Sequence, residues 1–173
     1  MIKKICMVGL YGVGKTSLVK RFVESIFRDG YQTTVGVAIS KKDVVLESGT
    51  VSLTIWDIAG EDELAAFRVS NVKGSSGYLL VADGCRSASL DKAVELHQRI
   101  TDAIGPLPFV LVINKVDLCD EWEIQPDALE RLASEGWHII NASAKTGDAV
   151  EQAFHTLTQD MLDRDAARAA EKG

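Results

Sequence analysis

The chain has 173 residues, of which 46% are hydrophobic and 25% are charged, with 14 glycines and 3 prolines. This length and composition fit one globular domain with its own core, and they argue against collagen-like, disordered and disulfide-framework proteins. The formal net charge of −6 also disfavours general nucleic-acid binding, because an acidic surface repels phosphate backbones. We therefore expect a single folded domain over residues 1–173 that does not bind nucleic acid.

The sequence carries no recognisable targeting or anchoring signal. Its three cysteines form no CxxC pair, which favours a reducing compartment. The longest apolar runs have five residues, whereas a membrane-spanning helix needs about 20. No signal-peptide, myristoylation or prenylation pattern is recognisable, so we expect a cytoplasmic protein without a direct membrane anchor.

The first predicted element is a buried strand at residues 2–8, followed by a glycine-rich loop and a helix. The loop has the pattern GxxxxGK[ST], in which glycines let successive backbone amides point at phosphate oxygens. A helix beginning at Lys15 adds the positive end of its dipole. Lys15 can then reach the β- and γ-phosphates, and the hydroxyl of Thr16 is a ligand for Mg²⁺. The predicted nucleotide-binding residues here are Gly9, Tyr11, Gly12, Val13, Gly14, Lys15, Thr16 and Ser17.

A hairpin is predicted next, with strands at 37–46 and 51–55 and a turn at Ser48-Gly49, because apolar and polar residues alternate in the second strand. Asp57-Ile58-Ala59-Gly60 follows that strand. A carboxylate at Asp57 suits Mg²⁺, usually through a water molecule. The amide of Gly60 can approach a γ-phosphate without a side chain in the way, and a short helix is expected after it.

The second half of the chain alternates apolar strands with helices. This alternation predicts an α/β domain with a mainly parallel sheet and right-handed crossovers. Ligands of such sheets bind beyond the carboxyl ends of the strands, which is where the motifs of this chain fall. Strands are predicted at 77–83, 108–114 and 137–141, and helices through 90–104, from near Pro126, and from about 148 through 161 to a short tail.

A second group of motifs predicts a site for a guanine base. Asn114-Lys115-Val116-Asp117 follows a predicted strand, and a carboxylate at Asp117 can accept hydrogen bonds from the ring N–H and exocyclic amine of guanine. Adenine lacks this donor pair, so a pocket with a buried unpaired carboxylate rejects it. The stem of Lys115 can cover the base plane, while Asn114 ties neighbouring loops together. In Ser143-Ala144-Lys145, the amide of Ala144 can donate to the guanine oxygen.

Together these motifs resemble those of small GTPases of the Ras superfamily, nearest to Ras and Rab proteins in spacing. Trp56-Asp57-Ile58-Ala59-Gly60 resembles the WDTAG motif of that family, and residues 141–147 resemble its TSAKTG motif. The resemblance extends from residue 2 to about residue 162. It implies the P-loop NTPase fold, with six strands, one antiparallel edge strand and about five helices.

The resemblance also implies roles that no local pattern assigns. Thr34 would bind Mg²⁺ together with Thr16 and Asp57, and would sense the γ-phosphate from a first switch loop at 26–36. Phe27 would lie edge-on to the guanine, and a second switch would occupy 60–73. The implied function is a switch that binds GTP and GDP with Mg²⁺, hydrolyses GTP, and works with an exchange factor, an activating protein and effector proteins.

Two departures from the family bear on catalysis. Glu61 stands where the family has its water-orienting glutamine, and Tyr11 stands where Ras has glycine and many Rab proteins have serine. The predicted catalytic residues are Lys15, Thr34, Gly60 and Glu61, with a slow intrinsic rate.

An alternative is a GTP-binding scaffold that barely hydrolyses GTP. A third interpretation, a P-loop kinase for a small molecule, is disfavoured by the NKxD motif and the lack of a lid. Trp122, in the acidic loop after that motif, is interpreted as a half-covered loop residue rather than a partner contact.

Overall fold

The computed structural model describes residues 1–30, 34–59 and 67–172. Its centre is one six-stranded sheet in the order β2-β3-β1-β4-β5-β6. The strands are β1 (Ile2–Gly9), β2 (Val37–Leu46), β3 (Gly49–Ile58), β4 (Gly77–Asp83), β5 (Phe109–Asn114) and β6 (Ile139–Asn141). The helices of the described residues are α1 (Lys15–Glu24), α2 (Ser87–Ile104), α3 (Pro126–Ser134) and α4 (Val150–Ala170), with short 3-10 helices at Val69–Asn71 and Val116–Glu121.

All strand pairs are parallel except β2 with β3, which run antiparallel at one edge of the sheet. The predicted fold class is therefore confirmed. The hairpin turn lies at Glu47 and Ser48, one residue earlier than predicted, because Gly49 already pairs with Leu46 as the first residue of β3. Gly49 has a φ of 126°, a value that side-chain-bearing residues rarely adopt.

The sheet is covered on both faces, which explains why its central strands are continuous apolar runs. Along β1, Ile5 and Met7 point to the face that carries α1 and α4, and Cys6 and Val8 point to the face that carries α2 and α3. On the first face the rings of Phe22 and Phe154 stack with centroids 3.8 Å apart. Every residue of β4 is buried. The two apolar layers fix the strand ends and therefore the loops that follow them.

Several element boundaries differ from the predicted ones for local reasons. β5 begins at Phe109 because Pro108 has no N–H to donate, although its carbonyl accepts from the Tyr78 amide at 3.1 Å. β6 has three residues rather than five, since the Trp137 amide bonds to Leu132 of α3 instead of a neighbouring strand. The start of the helix predicted after Gly60 lies outside the described residues.

The loops that carry most of the predicted site residues leave the same edge of the sheet. β1, β3, β4, β5 and β6 are mutually parallel, so the segments after their last residues all lie at the carboxyl edge. None of the helices in the described part of the chain combines the length and apolar character that crossing a bilayer requires.

Candidate functional site

A cavity of about 290 Å³ lies at the carboxyl edge of the sheet, and most of its walls come from the predicted motifs. The predicted residues that line it are Tyr11, Gly12, Gly14, Lys15, Thr16, Ser17, Phe27, Thr34, Asn114, Lys115, Asp117, Ala144 and Lys145. Asp29, Gly30, Ile58 and Leu118 also line it and were not predicted; each lies within three residues of a predicted one.

Four further predicted residues lie behind the cavity wall. Gly9 ends β1 so close to β4 that a Cβ would stand 2.4 Å from the Val81 carbonyl oxygen. Val13 is buried in the core, while Asp57 and Ser143 are buried beside cavity-lining residues that they bond. Gly60 and Glu61 lie outside the described residues, as do residues 31–33 and 61–66 of the two predicted switch loops.

The glycine-rich loop is shaped by contacts that allow no side chain at Gly14. This residue has a φ of 100°, and a Cβ on it would lie 2.2 Å from Nδ2 of Asn114. The same Asn114 amide donates to the Val13 carbonyl at 3.0 Å, so the loop is pinned to the end of β5. Within the described residues, no side chain caps the start of α1. The N–H groups of its first turn therefore remain available for an anion.

Lys15 is the buried cation of this loop. Its ammonium donates to the carbonyl oxygens of Gly9 and Leu10, both at 3.0 Å. Burial lowers the pKa of Lys15 to about 8, and the negative charge of Asp57 opposes that shift. A phosphate group in the cavity would raise this pKa again, because it offers the negative charge that the carbonyl oxygens lack.

Three oxygen-bearing side chains meet beside Lys15. The hydroxyl oxygens of Thr16 and Thr34 lie within hydrogen-bond distance of each other, and each lies within hydrogen-bond distance of Oδ2 of Asp57, at 2.6 Å and 3.2 Å respectively. Burial raises the pKa of Asp57, opposed by the Thr16 hydrogen bond and by the charge of Lys15. The other carboxylate oxygen, Oδ1, is buried and has no hydrogen-bond partner among the described residues. An unpaired buried oxygen is costly, and a hard oxygen-seeking cation such as Mg²⁺ would satisfy it.

The base side of the cavity is held together by Asn114. Its Oδ1 accepts from the Ala144 amide at 3.1 Å, while its Nδ2 holds the phosphate loop. Asp117 is fixed in turn, because the Ser143 hydroxyl donates to its Oδ1 at 2.6 Å. These bonds bring the residues predicted for phosphate and for base into one rigid frame.

Two residues that support the base side were not predicted. Asp83, fully buried at the end of β4, accepts from the Lys115 ammonium at 2.7 Å. Arg21 of α1 donates through Nε to the Ala144 carbonyl at 2.8 Å, and through its terminal nitrogens to the carbonyls of Lys145 and Ser25. No motif marks either residue, since each acts across a large sequence separation.

A family model described as the Ras family matches residues 4–163. Rab-1 of Theileria annulata is 32% identical over 164 residues, which cover 93% of this chain and 74% of that protein. Rab-7b of Bos taurus is 33% identical over 172 residues, covering 93% and 82% of the two chains, and Rab-8B of Homo sapiens is 30% identical over 161 residues, covering 92% and 78%.

Proposed function

This chain belongs to the Ras family of GTP-binding GTPases, and we propose that residues 1–173 form one Mg²⁺-dependent switch domain that reports its nucleotide through loops 26–36 and 60–73. The observation that carries the proposal is the hydroxyl of Thr34. It belongs to the first of these loops, yet it bonds to Thr16 and Asp57 of the phosphate side. A residue in that position can respond to what the phosphate site holds.

The chemistry is hydrolysis of GTP to GDP and phosphate by in-line attack of water on the γ-phosphorus. Mg²⁺ would be held by Thr16, Thr34 and Asp57. Their hydroxyl and carboxylate oxygens, including the unpaired Oδ1 of Asp57, are the kind of ligand that this ion prefers. When bound, Mg²⁺ supplies positive charge against the phosphoryl oxygens. Lys15 adds a cation, and the amides after Gly12 add dipoles that need not reorganise during the reaction.

The switch follows from what holds Thr34. With a γ-phosphate present, Thr34 and the amide of Gly60 would bond to the phosphate site, and both loops would be ordered. Loss of that phosphate removes these contacts, so the affinity for effector proteins, an exchange factor and an activating protein changes with the nucleotide.

A scaffold that barely hydrolyses GTP is the second candidate, favoured by Glu61 and Tyr11. Multiple-turnover hydrolysis, with and without cell extract, separates the two.

Base specificity tests the proposal most directly. Asp117→Asn replaces one carboxylate oxygen by an amide donor, while the remaining oxygen still accepts from Ser143. We expect the variant to lose affinity for GTP and to gain affinity for XTP, because xanthine carries a carbonyl where guanine carries an amine.

The measurement is competition of GTP, XTP and ATP against a labelled guanine nucleotide. Asp120→Asn, an exposed acid three residues away, is the matched control and should bind as the wild type does. Unchanged GTP binding by Asp117→Asn would show that the base is read elsewhere.

A further inference from the structure

The backbone of Lys115 adopts a conformation that needs outside support. Its φ of 74° lies in the left-handed region, which costs free energy for a residue with a Cβ. Two donors hold its carbonyl oxygen: the Leu118 amide at 2.9 Å and the indole N–H of Trp122, also at 2.9 Å. Trp122 therefore stabilises the turn at Lys115, a residue that lines the cavity.

The indole ring of Trp122 lies directly on Gly84, in the loop after β4. A Cβ on Gly84 would stand 2.2 Å from Cε2 and 2.3 Å from Nε1 of the ring, so no other residue fits under it. The backbone of Gly84 is bonded on both sides, because its amide donates to the Asn114 carbonyl at 3.0 Å and its carbonyl accepts from the Glu123 amide at 2.9 Å. The ring thus rests on a fixed surface.

Lys115 is consequently held at both ends. Its ammonium bonds to the buried carboxylate of Asp83, and its carbonyl bonds to Trp122, whose ring rests on the next residue, Gly84. Trp122 itself is not among the described residues that line the cavity. Its indole N–H contacts the cavity wall through the carbonyl oxygen of Lys115.

We propose that Trp122 is a positioning residue of the base site, which holds the Lys115 side chain over the guanine and so sets how long the nucleotide stays bound. The inference rests on the proposed function, since it assumes that guanine occupies the cavity. It predicts an effect on the dissociation rate rather than on association, because the support matters only while the base is in place.

The test is the rate of GDP release. Trp122→Phe keeps an aromatic side chain but removes the N–H donor together with the five-membered ring that lies on Gly84. Release should accelerate at least about fivefold, the effect expected for loss of one neutral hydrogen bond. The association rate should stay within about twofold. Trp137→Phe is the matched control, because Trp137 packs on Phe109 and His97 and does not line the cavity. This variant should release GDP at the wild-type rate.

The Lys115→Ala background distinguishes a positioning role of Trp122 from a merely structural one. With no Lys115 side chain to position, Trp122→Phe should not accelerate release further. An equal acceleration in both backgrounds would overturn the proposal, as would release at the wild-type rate from the single variant. A wild type that retains no GDP would instead refute the proposed function.

A fluorescence measurement keeps the proposal testable should Trp122→Phe fold poorly. In the double variant Trp56→Phe/Trp137→Phe, Trp122 is the sole tryptophan. Its emission should change when GDP is released, because Lys115, to which the indole N–H is bonded, then no longer contacts the base. Emission that is identical with and without GDP would contradict the inference.

Discussion

Tyr11 is the bulkiest side chain of the phosphate loop, and it stands at the mouth of the cavity. It is 38% exposed and lines the wall, while its backbone carbonyl accepts from the Arg86 guanidinium at 3.0 Å. Arg86 thus fixes the backbone of Tyr11, and Tyr11 lines the same cavity as the other phosphate-loop residues. We expect a side chain of this size to obstruct an arginine supplied by an activating protein.

We predict that Tyr11→Gly leaves the intrinsic hydrolysis rate nearly unchanged and increases the rate with an arginine-finger activator. An unobstructed finger contributes about 10³–10⁵ in rate. Tyr11→Phe, which keeps the ring, should behave as the wild type. Single-turnover assays with and without the activator measure both rates. A wild-type protein that already turns over several GTP per second with such an activator would refute the steric argument.

We expect Glu61 to affect the intrinsic rate instead. An ionised carboxylate only accepts hydrogen bonds and would add negative charge near an anionic phosphate, whereas a glutamine amide both donates and accepts. We therefore expect Glu61→Gln to increase the rate without an activator, in both the wild-type and the Tyr11→Gly backgrounds. The same single-turnover assay applies, and an unchanged rate would mean that Glu61 does not orient the water.

Arg21 connects α1 to the loop after β6. Its guanidinium donates to the carbonyls of Ala144 and Lys145, directly behind the amide expected to contact the guanine oxygen. The third acceptor, Ser25, ends α1 in a left-handed conformation just before Phe27. One side chain therefore spans two walls of the base side.

Removing this connection should shorten nucleotide residence. We predict about tenfold faster GDP release from Arg21→Ala, as expected for the loss of charge-assisted hydrogen bonds that are only partly buried. Arg21→Lys should lie between the two, because an ammonium cannot reproduce the forked geometry of the guanidinium. Arg131→Ala on the exposed face of α3 is the control. Equal release rates for all four proteins would assign Arg21 to stability alone.

The stability of the folded chain should depend on pH through His97. This side chain is half-buried among the rings of Tyr78, Phe109 and Trp137, and its Nδ1 bonds to the Tyr78 hydroxyl at 2.8 Å. Burial lowers the pKa of His97 below its ordinary value of 6.5. The unfolded chain therefore takes up this proton first as the pH falls, which favours unfolding.

The free energy of unfolding should accordingly fall as the pH drops below about 6.5. His97→Phe removes the titrating group, so its decrease between pH 7 and pH 5 should be smaller than that of the wild type. His155→Phe on α4 serves as the control and should retain the wild-type slope. Urea unfolding at several pH values gives the comparison, and parallel slopes for all three proteins would contradict the assignment.

Much of the fold class and of the cavity wall is encoded in short stretches of sequence. The GxxxxGK[ST] loop needs positive φ at Gly12 and Gly14, and only a few adjacent residues determine it. Similarly, the segment Asn114 to Asp117 begins at the last residue of a buried strand, directly after its apolar run ends, so its place at the sheet edge follows from the pattern. The ends of turns and strands were less predictable. The amide of Trp137, for example, lies in the predicted strand but bonds to Leu132 of α3 instead of to the sheet.

The α/β class and the phosphate and base motifs can be predicted from the sequence alone, since each depends on patterns of residues close together along the chain. The contacts that support these motifs are evident only in the folded structure. Asp83 reaches Lys115 because the sheet order places β4 beside β5, and Arg21 reaches Ala144 across 123 positions. Gly84 is a loop glycine in the sequence, and only the packing of Trp122 shows why no side chain fits there. Such contacts depend on how distant segments are arranged around a common core, and no local periodicity encodes that arrangement.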